Sequence, residues 1–259
     1  KVNEYLKISL LQIDLFHKDK KKNLSNIDNL VCDMENTDII LLPEMFNTSF
    51  CPFDISLAED TNGETVAWMK SLSKKKSCAV AGTLMIREKN KIYNRLIWIS
   101  KDGSLHSYDK RHLFSLIKEQ KTISKGDKRN IIIEEGWRIC PLICYDLRFP
   151  VFCRNNDDYD VLIFLSSWPE KRIDAWNTLL KARAIENQCV SVGINRVGKD
   201  NSDIYFPGSS SVYDAFGESL LNLGDKVDVI NSITISRDDL QLKRRQMSFL
   251  QDRDDFTIH

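Results

Sequence analysis

Apolar positions along this 259-residue chain follow two periods. Short continuous or alternating runs rich in Val, Ile, Leu and aromatic residues predict strands near 5–13, 38–42, 78–86, 91–99, 130–134, 137–143, 160–165, 189–195, 209–214, 218–223 and 227–235. Stretches with an apolar residue every three or four positions predict helices near 21–35, 62–76, 148–156, 172–187 and 236–246. The helix at 62–76 carries an entry signal, because Thr61 followed by Glu64 reads as a capping box and Val66, Met69 and Leu72 repeat on one face. Asp102-Gly103 marks a tight hairpin turn between Ile97-Trp98-Ile99 and Leu105, and Ala215-Phe216-Gly217 marks another.

The resulting order is β-α-β-α, then hairpins, then β-α-β-α and hairpins again. Runs such as Val161-Leu162-Ile163-Phe164-Leu165 are apolar on both faces, which requires a layer above and a layer below the sheet. No Pro-, Gly- or Ser-rich linker, repeat or low-complexity tract divides the chain. The pattern therefore predicts a single domain over 1–259, of mixed α/β class, with helices outside mixed sheets.

Composition narrows the function classes. With 42% hydrophobic and 29% charged residues the chain is neither disordered nor fibrous. Lys+Arg and Asp+Glu both number 37, so no net charge and no basic stripe draw it to nucleic acid or to an anionic membrane. Its longest apolar runs, 161–165 and 39–43, are strand-length and far short of the roughly 20 residues of a membrane helix. The first residues show no signal-peptide core, so a soluble cytoplasmic protein is expected. Seven cysteines without C-x-x-C or zinc spacing argue against a disulfide oxidoreductase and a metal site, and any one of them reads by default as a small buried hydrophobe.

Cys144 is the candidate exception. It follows the strand at 137–143 and precedes a helix start, and a sharp strand-to-helix turn exposes a nucleophile beside backbone N–H groups whose partial charge favours thiolate. A thiol needs a proton acceptor. His112, in Tyr108-Asp109-Lys110-Arg111-His112-Leu113-Phe114, would make a Cys–His pair. Glu44 follows the apolar run Ile39-Ile40-Leu41-Leu42-Pro43, so its carboxyl emerges at a strand's C-terminal end, where scarce water raises its proton affinity. Lys110, between Tyr108 and Leu113-Phe114, is either a solvated loop lysine or a cation built into the same place.

Leu42-Pro43-Glu44, Asp109-Lys110-Arg111-His112-Leu113-Phe114 and Cys144-Tyr145-Asp146-Leu147-Arg148-Phe149-Pro150, in this order and with this Lys-to-Cys spacing, resemble the Glu-Lys-Cys signature of the nitrilase superfamily of carbon–nitrogen hydrolases. Ser167-Trp168-Pro169, Ala182-Arg183-Ala184-Ile185-Glu186-Asn187-Gln188 and Asn195-Arg196-Val197-Gly198 extend the resemblance over nearly the whole chain. The wording around Lys110 and Cys144 is most similar to the omega-amidase branch, which hydrolyses the terminal amide of 2-oxoglutaramate and 2-oxosuccinamate.

The resemblance implies a four-layer α-β-β-α sandwich, a homodimer, a small-molecule amide substrate and no cofactor. It also implies roles. Cys144 attacks the amide carbon and holds a thioester, Glu44 moves the proton, and Lys110 with the backbone N–H of Tyr145 stabilises the oxyanion. Glu119, in Ile117-Lys118-Glu119-Gln120, matches a second glutamate that supports the lysine and positions substrate. A substrate carboxylate remote from the amide calls for cationic and hydroxyl donors, for which Arg148, Arg111 and Tyr145 are candidates, with Trp168 as a pocket wall. Arg148 equally reads as a structural ion-pair partner and Trp168 as core, while Arg183 and Glu186 read as a structural pair. A nitrilase, a carbamoylase or a non-catalytic binding subunit on the same fold are the competing readings.

Overall fold

Strand-length apolar runs pair into two six-stranded sheets in the computed structural model, which describes residues 2–258. The first sheet contains β1 (Tyr5–Gln12), β2 (Ile39–Leu41), β3 (Ala79–Glu88), β4 (Lys91–Ile99), β5 (Leu105–Asp109) and the returning β14 (Val229–Ser236), ordered β14-β1-β2-β3-β4-β5. The second contains β6 (Ile132–Glu134), β7 (Trp137–Ile143), β8 (Val161–Ser166), β9 (Val190–Asn195), β12 (Ser211–Tyr213) and β13 (Ser219–Asn222), ordered β13-β12-β9-β8-β7-β6. A separate hairpin joins β10 (Val197–Lys199) to β11 (Tyr205–Pro207).

Each large sheet is parallel at its centre, β1-β2-β3 and β7-β8-β9, and antiparallel toward its edges. Parallel strands need both faces covered, and side-chain alternation supplies the two covers. Ile39, Leu41, Ala79 and Ala81 join Leu142, Phe164 and Leu165 of the other sheet in one core. Ile40, Leu42 and Val80 point the other way, onto Leu24 and Ile27 of α1 (Lys20–Val31) and Val66 and Met69 of α2 (Glu64–Lys76). Beyond the second sheet lies α4 (Ile173–Asn187), whose Trp176 and Leu180 seat on β9 because Gly193 has no side chain: a Cβ there would lie 2.5 Å from Leu180 Cδ1. The result is the four-layer α-β-β-α arrangement. Two helices complete the chain, the single-turn α3 (Pro150–Cys153) and α5 (Arg237–Gln246).

Local signals and structure part company at several places. The capping box at Thr61 and Glu64 does not form: Gly63 occupies the cap position, and the carboxylate of Glu59 instead accepts the Thr65 N–H (2.9 Å) and hydroxyl (2.6 Å). Thr61 is turned toward the Arg95 guanidinium (3.5 Å). Of the helix expected over 148–156 only α3 forms, and a separate 3₁₀ turn, Cys144–Arg148, precedes it, because Pro150 has no N–H to continue that turn and is well suited to begin a helix. The strands β5, β10 and β11 escape the periodicity, being short and only partly apolar, and β12 starts later than expected because Gly208 (φ +68°) and Ser209 (φ +54°) are left-handed.

Candidate active site

Three of the central strands release their chains at the same end, where open α/β sheets place ligands. Glu44 lies just beyond β2, Cys144 just beyond β7 and Ser167 just beyond β8. Glu44 is fully buried, its Oε1 accepting from Asn94 Nδ2 (2.8 Å) and Lys110 Nζ (3.0 Å) and its Oε2 from the Ser167 N–H (3.1 Å). The next residue, Met45, turns the chain with φ +46°, and its N–H donates to the Thr83 hydroxyl (2.9 Å), which in turn donates to Asn94 Oδ1 (2.8 Å). One buried relay thus fixes both the glutamate's backbone and its carboxylate. Lys110 follows β5, is 1% exposed, and also reaches Glu119 (Oε2 3.1 Å, Oε1 3.3 Å). Glu119, itself fully buried, accepts the Phe114 N–H at 2.6 Å and so closes the loop that carries it.

Cys144 begins its 3₁₀ turn with φ +40°, a left-handed conformation that a non-glycine residue holds only where the surroundings enforce it. Asp146 is the enforcer. Its Oδ2 accepts the Ile143 N–H (3.1 Å) and the Tyr108 hydroxyl (2.7 Å), and its Oδ1 accepts the His112 N–H (3.1 Å) and lies 2.8 Å from His112 Nδ1. Arg183 donates twice to the Leu147 carbonyl (2.6 and 3.1 Å) and pairs with Glu186 (2.7 Å), the structural pair its spacing implied. The N–H of Tyr145 falls in the first positions of the turn, where no intrahelical acceptor exists. The Cys144 Sγ sits 3.9 Å from the Ser167 carbonyl and faces the same cavity as Glu44.

Burial dominates the electrostatics. It pushes the Glu44 carboxyl above its usual range, Lys110 opposing and Glu119 reinforcing that shift. Burial, then Glu44, hold the Cys144 thiol well above the ordinary thiol value, against the pull of Lys110. Burial lowers the proton affinity of Lys110, but Glu119 and Glu44 more than reverse this and keep it an ammonium. The thiolate expected from the turn geometry is therefore not the resting form: burial outweighs a few backbone dipoles. The arrangement is a neutral thiol beside a carboxylate of raised proton affinity and a fixed cation. Such a set can take the thiol proton as sulfur attacks and can stabilise negative charge formed next to the ammonium.

These groups open onto a cavity of about 580 Å³. Of the residues singled out in the sequence, Glu44, Lys110, Cys144, Tyr145, Arg148 and Trp168 line it, and Glu119 stands behind Lys110. Among the described residues Arg148 has no ion-pair partner; its guanidinium lies over the Trp168 ring (4.8 Å). Arg111 does not join them. Its guanidinium donates to the Asp127 carbonyl (2.7 Å) and covers the Phe152 ring (5.3 Å), because Arg111 and Lys110 leave the chain in different directions. His112 is likewise absorbed, stacked on Phe149 at 3.7 Å with Nδ1 on Asp146, so Glu44 rather than His112 lines the cavity with the thiol. Asn94, Ser167 and Arg172 were not singled out as site residues. Ser167 belonged to a family motif, whereas Asn94 and Arg172 sit in no pattern. Among the described residues no group of three or more His, Cys, Asp or Glu side chains is placed to hold a metal ion, and no helix is long and apolar enough to cross a membrane.

A buried acid, ammonium and thiol at the carboxyl ends of two facing sheets agree with the family model for carbon–nitrogen hydrolases, which matches residues 7–245; the chain belongs to that family. Among its relatives, the omega-amidase YafV of Yersinia enterocolitica is 36% identical over 255 residues, 98% of each chain. The 2-oxoglutaramate amidase of Bacillus subtilis is 31% identical over 231 residues, 87% of this chain and 89% of the other. Among solved structures, XC1258 from Xanthomonas campestris, a CN-hydrolase superfamily protein with an arsenic adduct in its active site, superposes with a TM-score of 0.96 at 36% identity, covering 99% of this chain and all of the other.

Proposed function

We propose that this chain is an omega-amidase: a thiol hydrolase that converts the terminal carboxamide of a small 2-oxo acid, such as 2-oxoglutaramate, to a carboxylate and ammonia. The observation that carries the reading is the fully buried Glu44–Lys110–Glu119 cluster set against Cys144 at the wall of one cavity. Glu44 accepts the Cys144 proton as sulfur attacks the amide carbon, and the carbonyl oxygen becomes an oxyanion near Lys110 and the Tyr145 N–H. Each donor of this kind typically lowers the barrier by about 3 kcal/mol. Glu44 then returns the proton to the leaving nitrogen, the C–N bond breaks, and ammonia departs from a Cys144 thioester. Water, deprotonated by Glu44, attacks the thioester; the carboxylate leaves and the thiol regains its proton. The names of the two relatives support the substrate class. Seven free cysteines, six of them buried, suit a cytoplasmic, reducing setting, and we take the working form to be a homodimer, which light scattering would check.

The test is ammonia release from a panel of 2-oxoglutaramate, 2-oxosuccinamate, glutamine, asparagine, a simple nitrile and an N-carbamoyl amino acid, with the 2-oxo amides expected to be fastest. Cys144→Ala should abolish release while the protein stays folded. Glu44→Gln should form no acyl-enzyme by intact-mass spectrometry. Full activity of the first variant, rapid acylation of the second, or faster turnover of the nitrile or carbamoyl compound would overturn the proposal.

A further inference from the structure

We infer that Arg172 is a specificity-determining residue, forming with Arg148 a two-guanidinium clamp that takes the carboxylate and 2-oxo oxygen of the substrate and turns away the corresponding 2-amino acid. The inference rests on the amidase reading above and names what selects its substrate. Both side chains line the cavity that holds Cys144. Each lies against an aromatic face, Arg148 over Trp168 (4.8 Å) and Arg172 over Phe114 (5.1 Å), which orients planar guanidinium groups without neutralising them. The Trp168 indole N–H donates to the Arg172 carbonyl (2.7 Å), so the segment bearing Arg172 is fastened to the wall on which Arg148 rests.

Neither guanidinium has a carboxylate within ion-pair distance among the described residues. The acidic groups that line the cavity are already engaged. Glu44 is on Lys110 (3.0 Å), Asp54 on Lys18 (2.6 Å), and Asp200 accepts the N–H groups of Ser202 (2.8 Å) and Ile204 (3.0 Å). Burial and then the charge of Arg148 pull the Arg172 proton affinity down, while Cys144 and Tyr145 act on it in the opposite sense, as groups sharing one cavity would. Two half-buried like charges without a counterion are costly until an anion arrives.

The 2-oxo acid end of an omega-amide offers only acceptors, a carboxylate and a ketone oxygen, and guanidinium offers only donors. Replacing the ketone by an ammonium, as in glutamine, places a third cation against the pair. Discrimination then comes from repulsion as well as attraction.

The experiment compares kcat/KM of the full chain, Arg172→Met and Arg172→Lys on 2-oxoglutaramate, glutamine and butyramide, an amide without a carboxylate. Arg172→Met should lose about thirtyfold on 2-oxoglutaramate, mostly in KM, as expected for one lost charge-assisted contact. Its loss on butyramide should stay within about threefold, its preference for 2-oxoglutaramate over glutamine should narrow, and Arg172→Lys should fall between. Equal losses on 2-oxoglutaramate and butyramide, or an unchanged preference over glutamine, would overturn the clamp and leave the amidase reading standing. Turnover of butyramide but not of 2-oxoglutaramate by the unaltered chain would instead overturn the omega-amidase reading and the clamp together.

Discussion

Glu119→Gln isolates one charge in the buried cluster while keeping the shape of the side chain. Lys110 Nζ stands 3.0 Å from Glu44 and 3.1 Å from Glu119, and all three groups are at most 1% exposed. At an effective dielectric near 20, a pair of unit charges 3.1 Å apart interacts by about 5 kcal/mol, part of which is returned because a neutral amide is easier to bury than a carboxylate. Removing one partner of a buried pair typically costs about 3–5 kcal/mol, which for a chain of this size lowers Tm by about 6–10 °C. The kinetic consequence has a definite sign. Glu119 helps to raise the Glu44 carboxyl, so neutralising it lowers the pH at which Glu44 ionises. Glu44 must be ionised to accept the thiol proton, so the acid limb of kcat/KM moves to lower pH. The plateau falls as well, by about a hundredfold, because a less basic carboxylate takes the proton less readily and Lys110 is less firmly held. Thermal unfolding and ammonia release across pH 4 to 9, roughly the span over which carboxyl and thiol groups titrate, measure both. A Tm within about 2 °C of the parent, or an acid limb that stays put or moves up, would refute the account of how the three charges balance.

Replacing His112 by Ala removes the Asp146 contact and the stack on Phe149 but leaves the proton acceptor, so activity should fall within about tenfold, far less than for Glu44→Gln. A larger loss than Glu44→Gln would restore the Cys–His reading. Gly126→Ala should damage the site without touching it. Its Cβ would lie 2.1 Å from the Asp109 carbonyl, and its N–H donates to the Lys110 carbonyl (3.0 Å), so backbone must shift under the ammonium. We expect kcat to drop at least tenfold and Tm to fall by several degrees; parent-like kinetics would show that Lys110 is held by its carboxylates alone.

Much of this architecture is legible in one dimension because strand and helix periods are local. The apolar runs near 38–42, 137–143 and 160–165 predict strands, with 161–165 buried on both faces; that they pair in parallel is what the structure adds. Strands β10 and β11, three residues each and partly exposed, carry no such period, and their pairing comes from the register of one hairpin. The Thr61–Glu64 signal names the right helix and the wrong cap, because Glu59, reaching back from the preceding loop, satisfies the same donors.

Glu44, Lys110 and Cys144 can be picked out by type, order and neighbours, since a carboxyl, an amine and a thiol in apolar settings are chemically unusual wherever they fall. What they do depends on partners far along the chain. Ser167, 123 residues from Glu44, supplies the N–H that holds its carboxylate, and Asn94, 50 residues away, holds the other oxygen. Sequence distance says nothing about such pairs, and it also misplaced Arg111, adjacent to Lys110 yet turned onto Asp127, while passing over Arg172. The amino-acid order by itself determined the strands, the helices and the identity of the reactive groups, because those rest on contacts between near neighbours. Only the packing of two sheets with their carboxyl ends at one rim decided which acid meets the thiol and which arginines face the cavity, because hydrogen bonds and desolvation act over about 3 Å of space, whatever the length of chain between.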